Sequence, residues 1–218
     1  MNEGTTARIL LVDDHPMMRR GLRDLLELEN DLEVVAEAGN GEDAIALAQQ
    51  TEPDLILMDL NMPGIDGLET TRRMRDVDID ARIVMFTVSD EQGHVLEALR
   101  NGADGYLLKD MDAEQLIEQI RLAATGRMAL SPELTQVLAE AIRVRPKPTG
   151  QVPFSSLTKR EKEVLRQIAK GQSNKMIARK LGITEGTVKV HVKNLLHKLG
   201  LRSRVEAAVW VLEHEAKG

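Results

Sequence analysis

The sequence contains no cysteine, one Trp, one Tyr, two Phe and no long apolar run, and each absence excludes a class of structure. Without cysteine the chain forms no disulfide and no thiolate metal site, which fits a reducing compartment. With only 2% aromatic residues, the core must be packed mainly by Leu, Ile, Val, Ala and Met, which supply most of the 42% hydrophobic content. No segment approaches the ~20 apolar residues that span a bilayer, and the N-terminus lacks a basic region followed by an apolar one. We therefore expect a globular protein of the cytoplasm.

Charge is distributed unevenly along the 218 residues, a length that suits two small domains. Residues 1–145 carry 14 basic and 29 acidic residues, a balance of −15, whereas residues 146–218 carry 15 and 6, a balance of +9. An acidic globule suits cations, and a compact basic one suits a polyanion such as DNA. The two parts of the chain are therefore expected to bind different partners.

Residues 1–128 alternate short β-rich apolar runs with amphipathic stretches, which predicts a parallel sheet covered by helices. The five predicted strands are Arg8 to Val12, Leu32 to Ala36, Asp54 to Met58, Arg82 to Phe86 and Gly105 to Leu108. The five predicted helices are Met17 to Leu28, Glu42 to Gln50, Gly67 to Arg75, Glu91 to Arg100 and Ala113 to Ala124. We predict an α/β domain here with a five-stranded, doubly wound sheet of the flavodoxin-like class.

Residues 129–154 fit neither core pattern and are predicted to connect two domains. Ser131-Pro132 is typical of a helix start, so we predict a helix from Pro132 to Val144. Three prolines and one glycine between residues 145 and 153 predict an extended linker after it.

Residues 155–218 predict an all-α domain of four short helices. Thr158 and Ser203 begin capping-box patterns, which mark the starts of the first and last helices. Thr184 can cap the third helix, and Gly182 can end the second.

Polar residues follow the carboxyl ends of the predicted strands, where open parallel sheets place their functional sites. They are Asp13 and Asp14 after the first strand, Asp59 after the third, Thr87 after the fourth and Lys109 after the fifth. Each alone is commonly a helix cap or a solvated side chain. Together the carboxylates would repel one another without a cation between them, and oxygen ligands suit Mg²⁺. The pattern therefore predicts phosphoryl transfer with Asp59 as nucleophile, while Thr87 and Lys109 bind phosphoryl oxygens.

These residues lie in motifs that resemble the receiver domain of bacterial two-component response regulators. The matching segments are Asp13-Asp14-His15-Pro16, residues 54–67, Thr87 and residues 102–109. The resemblance implies that Asp59 accepts a phosphoryl group from a phosphohistidine on a sensor kinase. It implies a Mg²⁺ site formed by Asp13, Asp14, Asp59 and the backbone carbonyl of Asn61. It also implies that Thr87 and Tyr106 form the switch that senses the phosphoryl group, with Lys109 contacting it.

One position departs from many receivers, because Lys109 is followed by Asp110 in place of proline. A cis peptide bond before a residue other than proline costs about 2.5–4 kcal/mol. The sequence therefore leaves open whether the Lys109–Asp110 peptide is cis or trans.

The predicted third helix, Thr184 to Leu199, has one apolar and one basic face. The apolar stripe expected to pack inward is Val188, Val192, Leu195, Leu196 and Leu199. The opposite face carries Lys189, Val190, Lys193, Asn194 and His197. Most helices with one apolar and one polar face simply expose the polar face to solvent. Here the preceding predicted helix, Asn174 to Leu181, forms a helix-turn-helix with it, and the second helix of this motif is expected to enter a major groove. The lysines then bind phosphates or guanines, and Val190 contacts a thymine methyl.

The basic domain resembles the LuxR-type DNA-binding domain of the NarL/FixJ subfamily. The matching segments are residues 157–165, Gly171, residues 174–181, residues 187–192 and residues 198–199. With the receiver, the resemblance covers nearly the whole chain. It implies DNA contacts by Lys175, Thr187, Lys189, Val190 and Lys193.

The resemblance extends at residues 105–111 and 204–210 to the nitrate- and nitrite-responsive regulators of that subfamily. It thus implies control of nitrate/nitrite-responsive genes. It also implies that the unphosphorylated receiver covers the third helix, and that phosphorylation frees this helix to bind promoter DNA as a homodimer. The opposite charges of the two domains make such docking plausible.

Two other classes of function fit parts of the pattern. A Mg²⁺-dependent phosphatase that forms an aspartyl phosphate also has Asp at a strand end, but haloacid-dehalogenase-like enzymes need a second acid two residues later, where this chain has Asn61. We therefore expect no enzyme, beyond a receiver that promotes phosphorylation and dephosphorylation of its own aspartate. An adaptor with a receiver and no DNA target is opposed by the basic third helix. The five histidines are dispersed, and we expect them at the surface or at helix ends.

Overall fold

The computed structural model describes residues 6–125, 129–130, 157–170, 172, 174–201 and 204–215. Up to residue 130, the described chain alternates strands with helices as the apolar pattern predicts. The elements are β1 Ala7–Val12, α1 Pro16–Leu26, β2 Leu32–Ala38, α2 Gly41–Thr51, β3 Leu55–Met58, α3 Gly67–Asp76, β4 Arg82–Thr87, α4 Gln92–Asn101, β5 Gly105–Leu108, α5 Ala113–Ala124 and β6 Ala129–Leu130. The five predicted strands and five predicted helices are confirmed.

All strand pairs are parallel, and the sheet has the order β2-β1-β3-β4-β5-β6. The order reverses between β1 and β3, which opens a crevice at the carboxyl ends of these strands. Val12 lies opposite Met58 in the pairing of β1 with β3. Asp13 and Asp59 therefore leave adjacent strands at the same edge of the sheet.

The short strand β6 extends the five predicted strands by one. Ala129 pairs with Gly105, and a Cβ at position 105 would lie 2.4 Å from the Ala129 carbonyl oxygen, so glycine allows the close approach. β6 begins one residue after the predicted receiver boundary at residue 128, and this boundary stays a prediction. The predicted helix from Pro132 to Val144 and the extended linker lie outside the described residues.

Both faces of the sheet are buried, because alternate strand residues point to opposite sides. Leu10, Ile56 and Met85 pack on one face with residues of α2, α3 and α4. Leu11, Leu57 and Phe86 pack on the other face with residues of α1 and α5. Two apolar layers thus hold the sheet edge that carries the acidic residues.

The described part of the basic domain consists of four helices, as predicted: α6 Lys159–Ala169, α7 Asn174–Leu181, α8 Glu185–Leu199 and α9 Arg204–Glu215. The predicted capping box of Thr158 and Glu161 starts α6, and the Thr184 side chain caps α8. The predicted capping residue Ser203 lies outside the described residues. The core of this domain includes Leu165, Ile177, Val188, Val192, Leu195 and Trp210.

Candidate functional site

Asp59 and Asp13 form a buried acidic pair at the carboxyl edge of the sheet, 4% and 2% exposed. Lys109 bridges them, with its Nζ 3.0 Å from Asp59 Oδ2 and 2.7 Å from Asp13 Oδ2. The Leu60 amide donates to Asp59 Oδ1 at 2.8 Å. Burial raises the pKa of Asp59, the Lys109 ammonium opposes that rise, and the charge of Asp13 adds to it. One ammonium therefore neutralises only part of the negative charge in the pair.

A third carboxylate, that of Asp14, completes a candidate cation site. Asp13, Asp14, His15 and Asp59 each offer one ligand atom, and these atoms lie within 4.8 Å of one another. Asp14 Oδ1 is buried and accepts no hydrogen bond from the described residues, although His15 Nδ1 lies 2.7 Å away. A buried carboxylate oxygen that accepts no hydrogen bond is costly, and a divalent cation would satisfy it. The three carboxylates fit Mg²⁺, which prefers oxygen ligands.

The structure brings His15 into this group, which sequence reasoning missed. Its side chain is 73% exposed, and it is the residue that precedes α1, as expected of a histidine at a helix end. The sequence feature that could have indicated it is the position of His15 directly after Asp13-Asp14. The spacing between the histidines gave no such indication, because they are dispersed. Asn61 lies exposed in the loop that follows β3, two residues after Asp59, and its carbonyl remains a predicted ligand.

The two predicted switch residues are fully buried on neighbouring strands. Thr87 ends β4 and Tyr106 lies in β5, and both are 0% exposed. The Tyr106 hydroxyl donates to the Ser89 carbonyl oxygen at 2.9 Å, and the Ser89 amide donates to Thr87 Oγ1 at 3.4 Å. Burial raises the pKa of Tyr106 to about 12. Both side chains thus contact the loop that leaves β4.

Lys109 follows β5 and its amide donates to the Thr87 carbonyl oxygen at 2.9 Å. The described chain contains no cis peptide bond, so the Lys109–Asp110 bond that the sequence left open is trans. The register of β4 and β5, with Thr87 opposite Leu108, therefore brings the hydroxyl and the ammonium to the same edge.

Helix α8 buries its apolar face and exposes its basic face, as its pattern predicts. Val188, Val192 and Leu195 are buried. On the other face Lys189 is 54%, Val190 57% and Lys193 61% exposed.

Two further residues were predicted to contact DNA. Thr187 is exposed on the first turn of α8, where its amide donates to Thr184 Oγ1 at 3.2 Å and the two hydroxyl oxygens are 2.8 Å apart. It therefore supports the helix cap. Lys175 lies in α7, and its side chain is outside the described part of the chain.

The two lysines of α8 contact the receiver. Lys193 Nζ lies 2.5 Å from Asp78 Oδ2, and Lys189 Nζ lies 3.6 Å from Asp80 Oδ2. Asp78 and Asp80 lie in the turn between α3 and β4. The residues predicted to bind phosphate or guanine therefore face carboxylates in this arrangement. None of the described helices has the length and apolar character that a bilayer crossing requires.

Comparison with known proteins identifies both halves of the chain. The family model described as response regulator receiver domain matches residues 9–121, and the one described as bacterial regulatory proteins, luxR family, matches residues 155–211. The nitrate/nitrite response regulator protein NarL of Escherichia coli (strain K12) is 53% identical over 211 residues, 97% of each chain. The nitrate/nitrite response regulator protein NarP of the same strain is 49% identical over 213 residues, 98% of each chain. A crystal structure of a LuxR-family two-component response regulator from Aurantimonas sp. SI85-9A1 has 43% identity and a TM-score of 0.60, covering 65% of this chain and all of that one.

Proposed function

This chain belongs to the response regulators that join a receiver to a LuxR-type DNA-binding domain and regulate transcription in response to phosphorylation, and from that premise we propose that Asp59 is its phosphorylation site. One observation carries the proposal. Asp59 is the buried carboxylate that shares Lys109 with Asp13 at the edge where the strand order reverses.

In the proposed reaction, an Asp59 carboxylate oxygen attacks the phosphorus of a phosphohistidine on a sensor kinase. The new O–P bond forms as the N–P bond breaks, and the imidazole leaves with the electron pair. Lys109 and the Thr87 hydroxyl bind the phosphoryl oxygens and hold them in place. Asp13, Asp14, Asp59 and the Asn61 carbonyl would hold Mg²⁺, which would neutralise charge on the phosphoryl oxygens. Release of the phosphoryl group to water restores Asp59, so the receiver catalyses only its own modification.

The proposal is tested by adding Mg²⁺ and acetyl phosphate to the full-length protein. Intact mass should show one phosphoryl group on the wild type and none on Asp59→Asn, and only the wild type should then gain affinity for promoter DNA. Asp54→Asn is the matched control, because Asp54 lies at the opposite end of β3 and accepts a hydrogen bond from the Arg8 amide. A singly phosphorylated Asp59→Asn protein would contradict the assignment.

For the DNA-binding half, we propose that Lys189, Val190 and Lys193 contact bases and that Thr187 and Lys175 help to hold the phosphate backbone. The contacts of Lys193 with Asp78 and of Lys189 with Asp80 support a state in which the receiver keeps α8 from DNA. Phosphorylation then releases the domain, which binds promoter DNA as a homodimer. In this state the receiver and DNA would compete for the ammonium groups of Lys189 and Lys193.

The autoinhibitory contact is tested in the full chain with Asp78→Asn/Asp80→Asn. This variant should bind promoter DNA more tightly than wild type in the absence of a phosphodonor. Asp76→Asn is a suitable control, because Asp76 pairs with Arg72 on the exposed side of α3. Equal affinity of the wild type and the double variant would refute the role of these carboxylates.

We further propose that the protein acts in the cytoplasm on nitrate/nitrite-responsive genes, as the names of the two Escherichia coli relatives suggest. In its host, an Asp59→Asn allele should abolish the transcript changes that follow addition of nitrate or nitrite. Unchanged transcript responses would show that this protein responds to a different stimulus from that of the two relatives.

A further inference from the structure

Ser89 makes three hydrogen bonds with three different groups, and two of them involve the switch residues. Its amide donates to Thr87 Oγ1 at 3.4 Å, and its carbonyl oxygen accepts from the Tyr106 hydroxyl at 2.9 Å. Its own hydroxyl lies 2.8 Å from His94 Nδ1. The position of this one serine therefore affects both switch side chains.

The bond to His94 connects the loop after β4 to the first turn of α4. The neighbouring Val88 is 75% exposed, so little apolar burial holds this part of the loop. A loop with few buried contacts keeps a defined position only if specific hydrogen bonds offset the entropy of ordering it. The histidine supplies such a bond from the first turn of α4.

We propose that His94 is a positioning residue for the phosphorylation of Asp59, and that it acts through Ser89. With Ser89 held in place, its amide occupies a lone pair of the Thr87 hydroxyl and leaves the hydroxyl proton available to a phosphoryl oxygen. Its carbonyl also provides the acceptor that keeps the Tyr106 hydroxyl paired inside the sheet. The inference rests on the proposed phosphorylation of Asp59, and the motifs that predicted that site contain neither Ser89 nor His94.

His94 contacts Ser89 through Nδ1 alone, so substitutions that keep or remove a polar atom at this position test the proposed role of His94. Nδ1 contacts Ser89, while Nε2 lies 4.0 Å from Glu91 Oε2, and the side chain is 37% exposed. An asparagine amide places a polar atom near the position of Nδ1, whereas a glutamine amide lies one bond further out, near the position of Nε2. Asparagine and histidine also have similar helix propensities. His94→Asn should therefore preserve the contact, and His94→Gln and His94→Leu should lose it.

The experiment compares these three variants with wild type as full-length proteins with Mg²⁺ and acetyl phosphate. The initial rate of phosphorylation should fall about fivefold in His94→Leu and His94→Gln, on the scale of one net hydrogen bond, and return to near the wild-type rate in His94→Asn. Glu97→Leu, on the exposed side of the same helix, is the control and should leave the rate unchanged.

Tyr106 gives a second measurement that does not require phosphorylation, because it is the only tyrosine in the chain. Protein labelled with ring-¹³C tyrosine should show one set of ring signals, shifted in His94→Leu and restored in His94→Asn. Equal rates and unshifted signals in all variants would overturn the role of His94. If the wild type itself took up no phosphoryl group, the assignment of Asp59 would fail, while the tyrosine signals would still decide whether His94 positions the loop.

Discussion

Asp59 carries a charge that its surroundings only partly neutralise. It shares one ammonium with Asp13, and burial raises its pKa above the ordinary value of an aspartate. A raised pKa means that the folded state holds this proton more tightly than the unfolded chain does. Stability from this group is therefore present at low pH and is lost as the pH rises through the raised pKa. Ionisation of Asp59 is therefore destabilising, and a cation bound beside it would relieve this cost.

Asp59→Asn should accordingly raise the melting temperature of the metal-free protein by a few degrees at pH 7. Saturating Mg²⁺ should reverse the order. At free Mg²⁺ of about ten times its Kd, the wild type should gain about 1.4 kcal/mol of unfolding free energy. The variant should gain less, because a neutral amide is a weaker Mg²⁺ ligand than a carboxylate. Thermal denaturation with and without EDTA measures both effects. An equal Mg²⁺ response in the two proteins would argue against Asp59 as a ligand.

Tyr106 should make the stability of the receiver sensitive to high pH. Burial raises its pKa to about 12, from the ordinary tyrosine value of about 10. Since the folded state keeps the proton, the stabilisation is complete below pH ~10 and is lost as the pH rises towards ~12, for a total of about 2–3 kcal/mol. The unfolding free energy of wild type minus that of Tyr106→Phe should fall by this amount over that window. A constant difference would show that the hydroxyl is not buried.

At the scale of elements, the site depends on how closely α3 approaches the end of β3. Gly67 starts α3, and its amide donates to the Leu60 carbonyl oxygen at 2.8 Å. A Cβ at position 67 would lie 2.1 Å from the Asp59 carbonyl oxygen and 2.9 Å from the Met85 side chain. The absence of a side chain therefore lets this helix lie against the backbone of Asp59.

Gly67→Ala should destabilise the protein by about 1–3 kcal/mol, because the methyl group forces the backbone of Asp59 to move. The rate of phosphorylation by acetyl phosphate should fall as well. Gly21→Ala is the control, since a Cβ there meets nothing within 4 Å in the middle of α1. That exchange should stabilise the protein by about 0.5–1 kcal/mol. Urea denaturation and intact mass measure the two effects, and similar stabilities of the two alanine variants would refute the packing argument.

At the scale of the whole molecule, oppositely charged side chains of the two domains meet. The turn between α3 and β4 presents Asp78 and Asp80 to the lysines of α8. The four side chains remain about half exposed, between 46% and 61%. Exposed ion pairs contribute little each and are screened by salt. Such a contact is weak enough for phosphorylation of the receiver to shift its equilibrium.

The overall size of the protein should therefore depend on ionic strength. Raising the salt from 0.05 M to 0.5 M shortens the Debye length to a few Å and should increase the radius of gyration of the unphosphorylated wild type. Asp78→Asn/Asp80→Asn should already be expanded at low salt and change little. Small-angle X-ray scattering measures this, with Asp76→Asn as the control. A wild type whose dimensions are independent of salt would show that other contacts hold the domains.

The sequence by itself determined the five strands, the described helices and the polar residues at the strand ends. It could do so because apolar periodicity and helix caps are local features of the sequence. The location of the site at the carboxyl ends of parallel strands depends only on the order of the strands. The same reasoning applies to the two faces of α8. At 3.6 residues per turn, Lys189 and Lys193 share the exposed face, whereas Val188 and Val192 share the buried one.

Tertiary structure decided what depends on distance between segments far apart in the chain. The pairing of Lys109 with Asp13, the hydrogen bonds of Ser89 to Thr87 and Tyr106, and the short strand β6 all follow from strand register and helix packing. No periodic pattern marks Asp78 and Asp80 as partners of Lys193 and Lys189, because the attraction between exposed charges carries no local signature in the sequence. The sequence thus specified which groups the chain carries, and the fold decided which of them meet.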